Sequence, residues 1–261
     1  MCVVDVTGVT QLHDVVYIVC WDCPVIQKFS ARTHERLADI NVMHLRRPRD
    51  IAACQQTSEV YVADFMDCVW RVSSDGEDIR HWWPLSRSLT LKPYTLSVTS
   101  TRVLVASLHT NQLIQLDAVS NEARSVPLPD CIHLAYHAME SPTGTFVVVH
   151  NCTPREDHWK VSELNDKGQM LRQFSSTLGA FHLAIDTQGN IFVIDRGNGI
   201  LLLNDHLALR RVILDKHQLN NKLPLRLCYN EQSGQLLFGF GDSNYRHHER
   251  GGFAVFDVLQ Q

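Results

Sequence analysis

Six apolar runs recur along the 261-residue chain at a nearly constant interval. They occupy residues 16–20 (VYIVC), 60–64 (VYVAD), 103–107 (VLVAS), 146–150 (FVVVH), 191–195 (IFVID) and 236–240 (LLFGF). Their second residues, Tyr17, Tyr61, Leu104, Val147, Phe192 and Leu237, are spaced 44, 43, 43, 45 and 45 residues apart. A period of this length marks a repeat architecture and constrains the fold more than any other feature. Each unit has the same internal order. A short strand such as 182–185 comes first, then a polar turn such as Thr187-Gln188-Gly189-Asn190, then the apolar run. A third strand (69–72, 113–116, 200–203) and a fourth (79–83, 209–214) complete it. The turns carry Gly, Asn, Asp and Ser, the residues that tight β-turns require. No amphipathic helix is visible.

Four antiparallel strands per unit, six times over, predict an all-β chain folded as a six-bladed β-propeller spanning 1–261. A single blade has two apolar faces and cannot bury both, whereas radial stacking covers them. The sixth unit supplies strands near 225–229, 236–240 and 253–258 but no fourth. The β-rich N-terminal run, residues 2–6, is expected to provide it and close the ring. The first strand of blade one is poorly marked.

The composition sets the class of partner. The chain has 24 Lys+Arg against 28 Asp+Glu, a net charge of -4, and 44% hydrophobic residues. This excludes a disordered tail and a strongly basic nucleic-acid binder. No apolar stretch reaches the ~20 residues of a membrane helix, and Met1-Cys2-Val3-Val4-Asp5-Val6 lacks the basic start of a secretory signal. A cytoplasmic protein without membrane contact is expected. Of the eight cysteines only Cys20 and Cys23 are close together, too little for a zinc or redox motif. The 14 histidines include no metal-binding spacing, and no cofactor or metal is expected. Asn151-Cys152-Thr153 matches a glycosylation sequon, but Pro154 follows it.

The unit resembles the NHL repeat. Blade five carries Leu183-Ala184-Ile185-Asp186, then Gly189-Asn190-Ile191-Phe192-Val193-Ile194-Asp195, then Asn198 and Ile200. Blade two carries Pro48, Ile51-Ala52, Val60-Tyr61-Val62-Ala63-Asp64 and Val69. The remaining blades match in hydrophobic pattern and spacing. The Arg that usually opens the third NHL strand is replaced by Cys68, Gln112 and Gly199, and the Asp ending the second strand survives as Asp64 and Asp195. The family includes the C-terminal propellers of tripartite-motif ubiquitin ligases, whose loop-bearing face binds RNA or proteins. Nothing here is similar to their zinc-binding domains. The resemblance implies a recognition module and scaffold.

Candidate binding residues follow from the starts of the first strands. Arg49-Asp50, Tyr94-Thr95, Ile132-His133, Phe181-His182 and Leu225-Arg226 place Asp50, Thr95, His133, His182 and Arg226 around one channel mouth. A water-filled channel is polar in any case. Arg46-Arg47-Pro48-Arg49 is the densest basic cluster and falls in a blade-to-blade loop, with Lys92, Arg196 and Arg226 on the same face. Beside Tyr94 and Phe181 these cations offer phosphate and base-stacking contacts, or an ordinary solvated loop. Trp82-Trp83 lies in the outer strand of blade two, where alternation sends the rings to opposite faces, to pack between blades or meet a partner. Residues 244–250 and 151–159 read as long polar loops. Some six-bladed propellers are calcium-dependent lactonases, strictosidine-synthase-like enzymes or amidating lyases. The mixed and cationic mouth here does not suit calcium, which takes several oxygen ligands. No catalytic motif is found. The expectation is a non-enzymatic protein-interaction platform, with an RNA reader as the alternative and a metal-dependent hydrolase or lyase behind both. A small-molecule ligand is not expected.

Overall fold

The computed structural model describes residues 5–66, 68–83, 92–152, 159–175, 179–220, 222–241 and 252–258. They form antiparallel strands and no α-helix, and no helix is long and apolar enough to cross a membrane. Blade one comprises β1 (Val6–Leu12), β2 (Val15–Cys20), β3 (Val25–Ser30) and β4 (Ile40–Asn41). Blade two holds β5 (Pro48–Cys54), β6 (Glu59–Asp64), β7 (Cys68–Ser73) and β8 (Ile79–Trp83). Blade three holds β9 (Pro93–Thr99), β10 (Arg102–Ser107), β11 (Gln112–Asp117) and β12 (Ala123–Pro127). Blade four holds β13 (Leu134–Glu140), β14 (Phe146–Asn151), β15 (Trp159–Leu164) and β16 (Met170–Ser175). Blade five holds β17 (Ala180–Ile185), β18 (Ile191–Asp195), β19 (Gly199–Leu203) and β20 (Leu209–Leu214). Blade six holds β21 (Leu223–Asn230), β22 (Gln235–Gly241) and β23 (Gly252–Asp257).

Within each blade, strands follow chain order from the first, and the six first strands pack side by side in a closed ring, β1 against both β5 and β21. This is a six-bladed β-propeller. Among the described residues the sixth sheet has three strands. Val6 opens β1 opposite Cys20, so the N-terminal run leads into blade one. Residues 2–4, and with them the expected closing strand, lie outside the described residues, as do residues 153–158 and 242–251 of the two long loops.

Why the apolar runs are so uniform is visible in the core. Second strands are buried on both faces, so their central residues are apolar on both. In β2, Tyr17 and Val19 join the cluster shared with blade two, while Val16, Ile18 and Cys20 join the one shared with blade six. That is the period of two of a strand sending alternate side chains to opposite neighbours. Six such clusters lie between successive blades, one at each interface. The Trp82-Trp83 pair departs from alternation. A bulge opposite Val69 and Trp70 turns both rings to the blade two–three interface, where Trp82 packs on Tyr61 at 4.8 Å and donates to Asn121 Oδ1 at 2.8 Å.

Candidate functional site: a plugged channel beneath an aromatic face

A β-bulge recurs at the start of every first strand. The displaced residues are Thr7, Arg49, Tyr94, Tyr136, Phe181 and Leu225. The extra residue re-aims the next one, so Gly8, Asp50, Thr95, His137, His182 and Arg226 stand at equivalent positions around the channel. They are 42 to 45 residues apart in sequence. The structure brings together the expected Asp50, Thr95, His182 and Arg226. It does not bring in His133, which is solvent-exposed in the connection before β13. The blade-four position belongs to His137, four residues later.

The ring is not an open mouth. Asp50, Thr95, His137, His182 and Arg226 are all buried, none more than 8% exposed. Each reaches beyond its own blade. Asp50 accepts the Leu96 N–H at 2.9 Å, and Thr95 donates to the Tyr136 carbonyl at 2.7 Å. His137 Nδ1 accepts the Leu183 N–H and His182 Nδ1 the Leu227 N–H, both at 3.3 Å. The two imidazoles stack at 3.7 Å. Arg226 spans the channel, donating to the Arg49 carbonyl at 2.9 Å with its Nε 3.6 Å from Asp50 Oδ1. This crossing passes blade one, where the equivalent residue is glycine. A Cβ on Gly8 would lie 2.7 Å from the Ile51 nitrogen, so only glycine allows β1 so close to β5.

The electrostatics follow from burial. Desolvation raises the Asp50 carboxyl above its ordinary range, with Arg226 pulling the other way. Desolvation also holds His137 and His182 well below the usual imidazole value, with further lowering by the neighbouring His182 and Arg226 respectively. Both rings are therefore neutral at physiological pH. Each accepts a backbone N–H at Nδ1, so the proton sits on Nε2. For His137 this Nε2–H faces the Leu96 carbonyl at 3.3 Å, and for His182 it faces Asp50 Oδ2 at 3.5 Å. Asp50, His137 and His182 hold one potential ligand atom each within 4.8 Å of one another. A metal ion there would have to displace both Nε2 protons and compete with Arg226 for Asp50. The arrangement stitches blades together and fits a metal poorly.

Below this plug the channel forms a cavity of about 340 Å³, lined from His137 and His182 past Ser97 and Cys228 to His13, Gln55 and Glu231 in the loops of the opposite face. None of its lining residues comes from the upper loops.

Above the plug lies an aromatic floor. Here the upper face means the one carrying the second-to-third-strand turns and the blade-to-blade connections. The Arg49 guanidinium sits over Trp21 at 4.1 Å, Phe65 at 5.2 Å and Tyr94 at 5.3 Å. Lys92 lies over Phe65, and Arg47 over Trp21. The aromatic chain continues edge-to-face from Tyr94 through Tyr136 to Trp159 and Phe181, with Arg196 capping Phe181 at 4.0 Å. Asp64 organises the basic loop, accepting the N–H groups of Arg46, Arg47 and Met66, and Asp195 caps its own turn through Gly197 and Asn198. Thus Arg46, Arg47, Arg49, Tyr94, Phe181 and Arg196 share one face, and Asp50, His182 and Arg226 lie buried beneath it. Trp21, Phe65, Tyr136 and Trp159 were not anticipated. Trp21 and Phe65 directly follow apolar runs, so the repeat placed them at the upper turns.

The two faces differ in charge. Described upper connections carry Arg46, Arg47, Lys92, Arg196, Lys216 and Lys222 against Asp5, Asp22, Asp130 and Asp215. On the opposite face Asp75, Glu77 and Asp78 crowd one loop, and Asp14, Glu35, Asp39, Glu122, Asp166, Asp186, Asp205 and Glu231 occupy others. Basic residues in those loops are Arg32, Arg36 and Lys167.

No protein-family profile and no curated protein matches the chain in sequence. Solved structures share its fold. A chain from a nidogen/laminin complex is 15% identical, covering 77% of this chain and 76% of its own length, with a TM-score of 0.64. A chain of Kuenenia stuttgartiensis hydrazine synthase is 13% identical over 98% and 96%, with a TM-score of 0.65. At such identities the likeness shows the propeller fold alone.

Proposed function

We propose that this propeller is a non-catalytic binding platform that recognises a protein partner through its upper face. The observation that carries the reading is the aromatic floor. It joins five blades into one surface, rests on a buried plug rather than an open hole, and is edged by cations held in place by cation–π contacts. Aromatic and arginine side chains that keep their positions before binding lose little entropy on association and make the strongest contact points. The nidogen/laminin neighbour comes from a protein–protein complex, which is consistent with this use of the fold. The buried and mutually engaged ring residues favour a structural role over an enzymatic one.

An NHL-like module fits the same reading, because Asp64 and Asp195 cap the turns where the NHL pattern places an Asp. RNA is the second reading, favoured by the interleaving of cations and rings. Against it, Trp21, Phe65 and Phe181 are covered by the protein's own cations, leaving fewer ring faces for bases to stack on.

Affinity capture from native lysate tests the proposal. The Arg46→Ala/Arg47→Ala/Lys92→Ala variant is expected to lose the captured protein. The opposite-face variant Asp75→Asn/Glu77→Gln/Asp78→Asn should retain it. Loss in the second variant with retention in the first would refute the assignment of the face.

A further inference from the structure

Several cations away from the upper face are paired with carboxylates within the chain. Arg71 meets Glu59, Arg102 meets Glu140, Arg172 meets Glu163, and Arg32 and Arg36 meet Asp14 and Asp39. On the upper face, Arg46 and Lys92 form no ion pair among the described residues, and Arg47 reaches only Asp22, at 3.8 Å between two half-exposed side chains. Such a pair in water contributes little. Arg47 lies over Trp21 and Lys92 over Phe65, Arg46 precedes Arg47 in the same loop, and Met43 (83% exposed) and Met66 (38% exposed) lie in these loops. A patch of uncompensated positive charge beside apolar surface is complementary to an anion attached to an apolar group.

Resting on the platform reading, we infer that the partner presents an extended acidic segment, with carboxylates between Arg46, Arg47 and Lys92 and neighbouring apolar side chains on Trp21, Phe65 and the two methionines. The patch is compact and confined to the loops of blades one to three, whereas a phosphate backbone needs a continuous basic track. The opposite face is strongly acidic, so the molecule's own field also orients an acidic partner toward this face.

Selection from a displayed random-peptide library on the full chain tests the inference. The expected outcome is enrichment of Asp- and Glu-containing peptides. Their affinity should fall at least about tenfold in the Arg46→Ala/Arg47→Ala/Lys92→Ala variant, equivalent to about 1.4 kcal/mol or more, and fall again at high salt. The variant's circular dichroism and unfolding midpoint should match the parent's. Peptides without acidic enrichment, lost on Phe65→Ala but indifferent to the triple variant, would overturn the acidic segment and leave the platform standing. Peptides lost only in the opposite-face variant would overturn the platform itself. So would failure to enrich any peptide, coupled with tight binding of a randomised RNA pool.

Discussion

Asp50→Ala is expected to lower the free energy of unfolding by about 3–5 kcal/mol, the usual cost of removing one partner from a buried ion pair. Three groups lose their counterpart at once. Arg226 is left charged and buried, the Leu96 N–H loses its acceptor, and His182 Nε2 faces empty space. Arg226→Met should also destabilise, because it strands Asp50 and frees the Arg49 carbonyl. The double variant Asp50→Ala/Arg226→Met should cost less than the sum of its parts, since neither charge then remains to be stranded. Urea denaturation of the four proteins measures this. A loss below about 1 kcal/mol for Asp50→Ala would mean that the plug is not organised around this carboxylate.

Acid should destabilise the fold steeply below pH 6.5. His137 and His182 are held well below the ordinary imidazole value of 6.5, and burial lowers His150 to about 4. His150 is fully buried, its Nε2 2.8 Å from Ser162 Oγ. As pH falls through 6.5 the unfolded chain binds protons that these three rings refuse in the fold, so stability drops. Each ring contributes up to about 1.4 kcal/mol per pH unit. Asp50 works in the opposite sense. Its raised value lets the fold hold a proton that the unfolded chain has released above 3.8, so acid relieves its burial. At most one proton on that side against three on the other leaves a net slope of up to about 2.7 kcal/mol per pH unit between roughly pH 6 and 5, above the range where His150 takes up its proton in the fold. Urea midpoints taken from about pH 7.5 down to about 4.5 should show it. A flat profile across pH 6 to 5 would contradict neutral buried imidazoles.

Much of the fold was written in the chain's periodicity. The runs at 16–20 and 191–194 are apolar because second strands have no solvent face, and that pattern survives any divergence of the turns. Asp50, His182 and Arg226 were found because they recur in step with those runs. Ile132-His133 reads like the apolar–polar entry Phe181-His182, but the strand begins at Leu134 and its bulge falls at Tyr136. The interval itself distinguishes the two histidines, since His133 lies 38 residues after Thr95 and His137 lies 42. Gly8 carries no side chain to notice, although it keeps the interval. The plug was not legible, because Arg226 meets Asp50 across the channel, 176 residues back in the chain. Nothing local in the sequence signals that meeting, and the same holds for the Trp82 bulge. On the upper face, Tyr94 and Phe181 were visible beside the strand starts. Trp21 and Phe65 follow second strands, whose turns share a face with the blade-to-blade connections, but that these rings, from two blades, meet at Arg49 is set by the radial closure.

Amide hydrogen exchange on the full chain, with and without the captured partner, tests the central claim most directly. The account predicts slowed exchange at residues 21–24, 42–47 and 65–66, with the loops at 13–14, 74–78 and 231–234 unchanged. Slowed exchange in those opposite loops, with the upper face unaffected, would contradict it.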